Sequence, residues 1–242
     1  PPPLHSMPPK KAAAPTGPVG GVRFGRVKST LKMGIVGLPN VGKSSMFNLL
    51  TKTHNADAQN FPFCTIEPNE ARCPVPDDRY DQLCDMWNPP SKYPAYLQVW
   101  DIAGLIRGAS KGDGLGNQFL SHIGAVDGIF HMVRSFENEE VQHVEDSVDP
   151  IRDLETITYE LCQKDLQALD AAYAREQKDV KRSAGTKLSG LFIETMKKLK
   201  EMLEAGLPVK DGDWSTPEIE MIKDKCGDFV TTKPQVYLVN LT

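Results

Sequence analysis

No apolar run in these 242 residues approaches the roughly 20 needed to cross a bilayer, so a membrane-spanning helix is not expected. An excess of positive charge is also lacking. The formal net charge of −4 excludes a uniformly basic nucleic-acid binder and gives no footing for sequence-specific DNA binding. Local basicity is confined to the first part, at Lys10, Lys11, Arg23, Arg26, Lys28 and Lys32, so any contact with RNA would be patchy. Cys64, Cys73, Cys84, Cys162 and Cys226 are an odd set of five without a CxxC pair, and no apolar signal segment precedes them. A reducing, cytoplasmic setting is therefore expected, with each thiol packed as a small hydrophobe. No internal repeat is visible.

What is present is the make-up of an ordinary soluble protein, 40% hydrophobic and 25% charged. The length suits one large domain, or one domain carrying an insertion. Residues 1–6 precede Met7, which reads as a natural start, and are taken as left over from expression. From Pro8 to Gly25 the chain is rich in Pro, Gly, Ala and Lys with little apolar periodicity, which predicts a flexible tail over 1–29.

Order is expected from about Thr30. Leu31 to Val36 is a short apolar run with β-branched members that stops at glycine, as a buried parallel strand should. Met46, Phe47, Leu49 and Leu50 then recur at helical spacing within Ser45 to Lys52. Ala95 to Asp101, Gly128 to Val133 and Gln235 to Asn240 read as three further strands, and the helical stretches between them predict crossovers and a mostly parallel sheet. Before the last strand, Asp149-Pro150 caps a helix with a stripe of Leu154, Ile157, Leu161, Ala168 and Ala172. A second stripe, Leu188, Leu191, Phe192, Met196, Leu199 and Leu203, stops at Gly206-Leu207-Pro208, so the two helices should form an antiparallel hairpin. Ser215 to Glu218 has the capping-box pattern of one more short helix.

The chemistry begins where the first strand ends. Gly37-Leu38-Pro39-Asn40-Val41-Gly42-Lys43-Ser44 spells GxxxxGK[ST] between a strand and a helix, where successive backbone N–H groups converge on phosphate oxygens. Asn40, Val41, Gly42, Lys43, Ser44 and Ser45 are thus the expected nucleotide-binding set. Lys43 should reach the β- and γ-phosphates, and the Ser44 hydroxyl should ligate Mg²⁺. Asp101-Ile102-Ala103-Gly104 follows an apolar strand as the DxxG form of the Walker B acid, so Asp101 is expected to hold Mg²⁺ and the Gly104 N–H to approach the γ-phosphate.

Thr65, in Asn60-Phe61-Pro62-Phe63-Cys64-Thr65-Ile66, occupies the position of a switch segment and is a third candidate Mg²⁺ ligand; the alternative is a surface threonine. Leu105 stands where Ras-like GTPases place a water-orienting glutamine, which leucine cannot replace. His122, on a helix beyond the glycine-rich stretch Gly108 to Gly116, is the candidate for positioning the attacking water, with a packed structural histidine as the alternative. His131 reads as packed within its strand, while His54 and His143 carry no signal. Asn40 is the candidate holder of a monovalent cation, K⁺, near the phosphates. Asn240-Leu241-Thr242 lies where GTPases carry the NKxD base motif, with leucine in place of lysine; the acid of that motif would follow Thr242.

GLPNVGKS, NFPFCTIEPNEAR, DIAGLIRGA, GLGNQFLSHI, VDGIFH, SVDPIRDLE and KPQVYLVNLT together resemble the Obg-like ATPase (YchF) subfamily of translation-factor-related P-loop NTPases, from about residue 24 to the end. The resemblance implies a nucleotide domain over 30–149 and 228–242, cut short of its last elements, and a helical insertion over 150–227. The family's C-terminal TGS domain is not in this sequence. It further implies ATP as the substrate with GTP bound more weakly, an NxxE motif in which Asn240 and Leu241 contact the base, and a hydrophobic residue after DxxG. Ribosomal particles, the large subunit in particular, are the implied partners. Two alternatives stay open. One is a true Obg-type GTPase, and the other is a nucleotide-gated binding scaffold that barely hydrolyses.

Overall fold

In the computed structural model, residues 30–51, 69–105, 108, 115–138, 140–141, 143–145, 147–182 and 187–241 are described. The expected tail over 1–29, His54, the segment 60–66 with Thr65, residues 109–114 of the glycine-rich stretch, and Thr242 lie outside the described residues.

Strand β1 (Leu31–Val36) runs through a five-stranded sheet of order β2-β3-β1-β4-β5. Its neighbours β3 (Tyr96–Asp101) and β4 (Gly128–Arg134) are parallel to it, and β5 (Gln235–Asn240) is parallel to β4. Met33, Ile35, Val36, Ile129, Met132 and Val133 are all buried, the near-continuous apolar pattern of strands covered on both faces. Four strands thus lie where the sequence predicts, with shifts of one residue at the start of β3 and the end of β4.

The sequence gives no warning of β2 (Asn69–Pro74), which pairs antiparallel with β3 at the sheet edge. Glu70 and Arg72 face solvent while Cys73 is buried, so its period-two signal is only three residues deep. The following helix α2 (Asp78–Trp87) is also unforeseen. Asp77 caps it by accepting the Arg79 N–H at 3.0 Å, and Asn88 ends it in a left-handed conformation at φ 41°.

Helices α1 (Lys43–Thr51) and α3 (Leu115–Ala125) contribute Phe47, Phe119, Leu120 and Ile123 to one apolar cluster built on β1, β3 and β4. The chain passes from β1 to β3 on one side and then to β4 on the other. The loops leaving β1 and β3 therefore open where the strand order reverses, the place where open parallel sheets bind ligands.

Helix α4 (Pro150–Arg182) is 33 residues long, about 50 Å at the standard rise. Asp149 caps it, its Oδ1 accepting the N–H groups of Ile151 and Arg152 at 3.1 and 3.2 Å. Ile157 and Leu161 join the sheet cluster, whereas Cys162, Leu169 and Ala172 join a second cluster with Phe192, Met196, Leu199 and Leu203 of α5 (Gly190–Glu204). Tyr173 stacks on Phe192 at 5.9 Å near the start of α5, and Gly206, just past its end, lies beside Tyr159, so α4 and α5 run antiparallel. Of the expected stripe, Ala168 packs against the second cluster with Leu169 buried beside it, while Leu191 is exposed. Helix α6 (Thr216–Lys225) begins with the expected capping box, the Ser215 N–H donating to Glu218 Oε2 at 2.7 Å.

Candidate functional site

Residues 37–42 turn the chain from β1 into α1, so the first backbone N–H groups of α1 face the mouth of the sheet with no intrahelical partner. Gly42 holds φ +103°, and a Cβ there would stand 2.6 Å from Asn240 Nδ2, so this point of the turn accepts glycine alone. Asn40 is also left-handed, at φ 61°. Lys43, the first residue of α1, is buried and donates its Nζ to the Leu38 carbonyl at 2.8 Å. Its ammonium is thereby folded over the loop that precedes it.

Adjacent to it, the Ser44 hydroxyl donates to Asp101 Oδ2 at 2.6 Å. Asp101 ends β3 with 0% of its surface exposed, and its buried Oδ1 has no hydrogen-bond partner among the described residues. Burial pushes the carboxyl above the usual range, opposed by the Ser44 hydrogen bond and the Lys43 charge. A hydroxyl and a carboxylate oxygen side by side are hard donors of the kind Mg²⁺ takes. An orphaned buried oxygen costs free energy unless something satisfies it, so this donor pair fits a cation.

Beyond Asp101 the chain is stitched to the end of β1 and the turn that follows it. The Ile102 N–H donates to the Ile35 carbonyl at 3.3 Å and the Leu105 N–H to that of Gly37 at 3.2 Å. Gly104 passes so close to Pro39 that a Cβ would stand 2.9 Å from its ring. Leu105 is 1% exposed, an apolar residue packed beneath the turn. From the far side Asn240, the last residue of β5, donates its Nδ2 to the Val41 carbonyl at 3.1 Å. Leu241 beside it is 66% exposed.

The described contacts thus gather Lys43, Ser44, Asp101, Gly104, Val41, Gly42 and Asn240 around one turn. They do not join His122 to it. His122 lies on α3 with a buried Nδ1 that has no hydrogen-bond partner among the described residues. His131 is packed in β4 as expected, its ring 5.7 Å from that of Tyr237, and burial, reinforced by the Lys210 charge, lowers its pKa to about 4. Sequence reasoning missed two acids of α4. Glu160, 2% exposed, accepts the Gly108 N–H at 2.6 Å. Asp165, 1% exposed, accepts the N–H groups of Val230 and Thr231 at 2.8 and 2.7 Å. Their one sequence signal is position, beside Ile157 and Leu161 on the inward stripe of the helix.

Residues 32–168 match a family model described as 50S ribosome-binding GTPase. Obg-like ATPase 1 of Oryza sativa subsp. indica is 52% identical over 236 residues, a match covering 98% of this chain and 59% of the relative. Its counterpart from Homo sapiens is 50% identical over 237 residues, with the same coverage of 98% and 59%. The solved structure of the Schizosaccharomyces pombe YchF GTPase superposes with a TM-score of 0.66 at 42% identity, over 91% of this chain and 59% of that one. The chain therefore spans about three fifths of the length of these relatives. Among the described residues no helix is long and apolar enough to cross a membrane.

Proposed function

Since this chain belongs to the 50S ribosome-binding GTPase family and groups there with the Obg-like ATPases, we propose that it is the nucleotide-hydrolysing part of a cytoplasmic switch. It binds ATP more tightly than GTP and hydrolyses it to ADP and phosphate on ribosomal particles, the large subunit in particular. The observation that carries this reading is the Ser44 hydroxyl on the buried Asp101 carboxylate, directly beside Lys43 at a helix N-terminus. In this division residues 30–149 and 228–242 form the nucleotide domain, and 150–227 form a helical insertion that presents a surface to the partner.

Each residue has a role in the proposal. Lys43 swings from the Leu38 carbonyl to the β- and γ-phosphates, and the N–H groups of Asn40 to Ser45 cradle them. Ser44, Asp101 and Thr65 hold Mg²⁺, which when bound neutralises charge on the phosphate oxygens. The Gly104 N–H faces the γ-phosphate, and Asn40 offers its side-chain oxygen to K⁺. Asn240 braces the turn through Val41, while the exposed Leu241 supplies an apolar contact in place of the lysine that guanine recognition uses.

Water attacks the γ-phosphorus as its bond to the β,γ-bridging oxygen breaks. Preorganised positive charge supplies the stabilisation. The buried Leu105 cannot orient that water, so His122 is proposed to place it and the unassisted rate is slow. Leu105 equally favours the second reading, a nucleotide-gated scaffold with negligible hydrolysis. Competition titration of ATP against GTP in Mg²⁺ buffer tests base choice; GTP binding tenfold tighter, about 1.4 kcal/mol, contradicts it. Single-turnover hydrolysis with and without ribosomes separates enzyme from scaffold, because a scaffold shows no stimulation.

A further inference from the structure

The segment that leaves Asp101 is held twice. Its first part, through Leu105, is bonded to the turn that ends in Lys43 and Ser44, as described above. Its next described residue, Gly108, is held by a different element, since its N–H donates to Glu160 Oε1 of α4 across 2.6 Å and 52 sequence positions.

Three features make this contact more than surface decoration. Glu160 is 2% exposed, so its carboxylate is withdrawn from water on the inward stripe between Ile157 and Leu161. A buried carboxylate is costly unless donors face it, and bonds between backbone N–H groups and a charged acceptor are among the stronger ones. Gly108 adopts φ +84°, with no described residue within 4 Å of where a Cβ would stand. Its glycine is therefore required by conformation and not by crowding, and that conformation aims the N–H at Glu160. Finally, Glu160 lies one residue before Leu161 and five before Asp165. The same stretch of α4 packs on the sheet cluster and binds the turn that leads into β5.

We propose that Glu160 is a positioning residue for hydrolysis: by accepting the Gly108 N–H it ties Gly108, four residues beyond Gly104, to the helical hairpin. This rests on the reading of the site as a nucleotide hydrolase. Through the Gly108 N–H, Glu160 sets where the backbone beside the γ-phosphate can sit. A change at the phosphate is thereby felt by α4, and a load on the hairpin is felt at the phosphate.

The test uses the full-length protein. Glu160→Leu removes the acceptor, Glu160→Gln keeps a carbonyl oxygen in its place, and the exposed Glu155→Leu serves as the control on the same helix. In single-turnover hydrolysis at saturating ATP, Glu160→Leu should fall about tenfold while the Kd for ATP changes less than twofold. Glu160→Gln should stay within about threefold of wild type, and Glu155→Leu should match it. Loss in Glu160→Gln equal to that in Glu160→Leu, or no loss in Glu160→Leu, overturns the proposal.

Should Glu160→Leu fold poorly by thermal melting, Gly108→Ala attacks the same bond from the exposed side. It should lower the rate comparably, and combining it with Glu160→Leu should add little. Additive losses would overturn the idea. Hydrogen exchange at the Gly108 amide, read with ADP and with a non-hydrolysable ATP analogue, separates this inference from the reading beneath it. Exchange should accelerate in Glu160→Leu and not in Glu155→Leu. If the wild-type protein hydrolyses nothing, the hydrolase reading fails and takes the role in hydrolysis with it, leaving only the Glu160–Gly108 tether that exchange reads; if exchange at Gly108 is unchanged in Glu160→Leu, the positioning role fails alone.

Discussion

Asn240 and Val41 stand 199 positions apart in the chain, yet the side-chain amide of the first donates to the main-chain carbonyl of the second at 3.1 Å. The end of β5 is thereby fastened to the turn at the heart of the site. Asn240→Ala should weaken ATP and GTP alike by three- to tenfold, about 1 kcal/mol, because the brace acts on the turn and not on the base. Isothermal titration with both nucleotides checks this; a loss confined to one of them would assign Asn240 to base contact alone.

Removing either of two neighbouring groups separates phosphate binding from cation binding. Lys43→Ala should abolish tight triphosphate binding whether or not Mg²⁺ is added. Ser44→Ala should lower ATP affinity at least tenfold with Mg²⁺, about 1.4 kcal/mol, and less than twofold in EDTA. An unchanged Mg²⁺ dependence in the Ser44 variant would show that its hydroxyl is no ligand.

His122→Ala should slow single-turnover hydrolysis while leaving ATP affinity within twofold, since the lost contact would exist mainly in the transition state. The rates are to be compared with and without ribosomes. Equal rates for variant and wild type in both conditions remove His122 from the mechanism and leave water positioning to the substrate phosphate or to the partner.

Acid sensitivity should trace to His131. With a folded pKa of about 4 against an ordinary 6.5, this ring stays neutral in the native state while the unfolded chain binds a proton. Stability from this group is present above pH 6.5 and is lost as pH falls toward 4, by about 2 kcal/mol between pH 7 and pH 5. Asp165 has the opposite sign. Burial, against the bonds from Thr231 and Val230, raises its pKa from 3.8 to about 6, so its contribution improves as pH falls from 6 toward 3.8. The advantage of His131→Phe over wild type in urea midpoint should grow on acidification from pH 7 to pH 5. A constant difference would mean that His131 titrates normally.

The contrast between Ser44–Asp101 and Gly108–Glu160 shows where the sequence was legible. The first pair stands in two motifs whose spacing follows from strand, turn and helix geometry, so both residues and their proximity could be read. Four strands were legible for a similar reason, each being an apolar run bounded by turn residues. β2 was not, because Asn69–Pro74 is a half-exposed edge segment whose partner decides its conformation. Glu160 and Asp165 were hidden by their chemistry. An acid on a helix is ordinarily solvated, and only the packing of α4 against the sheet and the turn at Val230–Thr232 makes these two inward-facing acceptors.

Lys233, just before β5, donates its Nζ to the carbonyls of Gly124 and Val126, reaching back 109 positions to the first of these. Closing a flexible loop of that length costs on the order of 4 kcal/mol in chain entropy before any strand pairing compensates it. Prior assembly of α4, α5 and α6 would replace most of that loop with a rigid body whose two ends already lie together at Asp165 and Val230. Helix assembly would thus lower the entropic cost of adding β5, and with it Asn240, to the sheet.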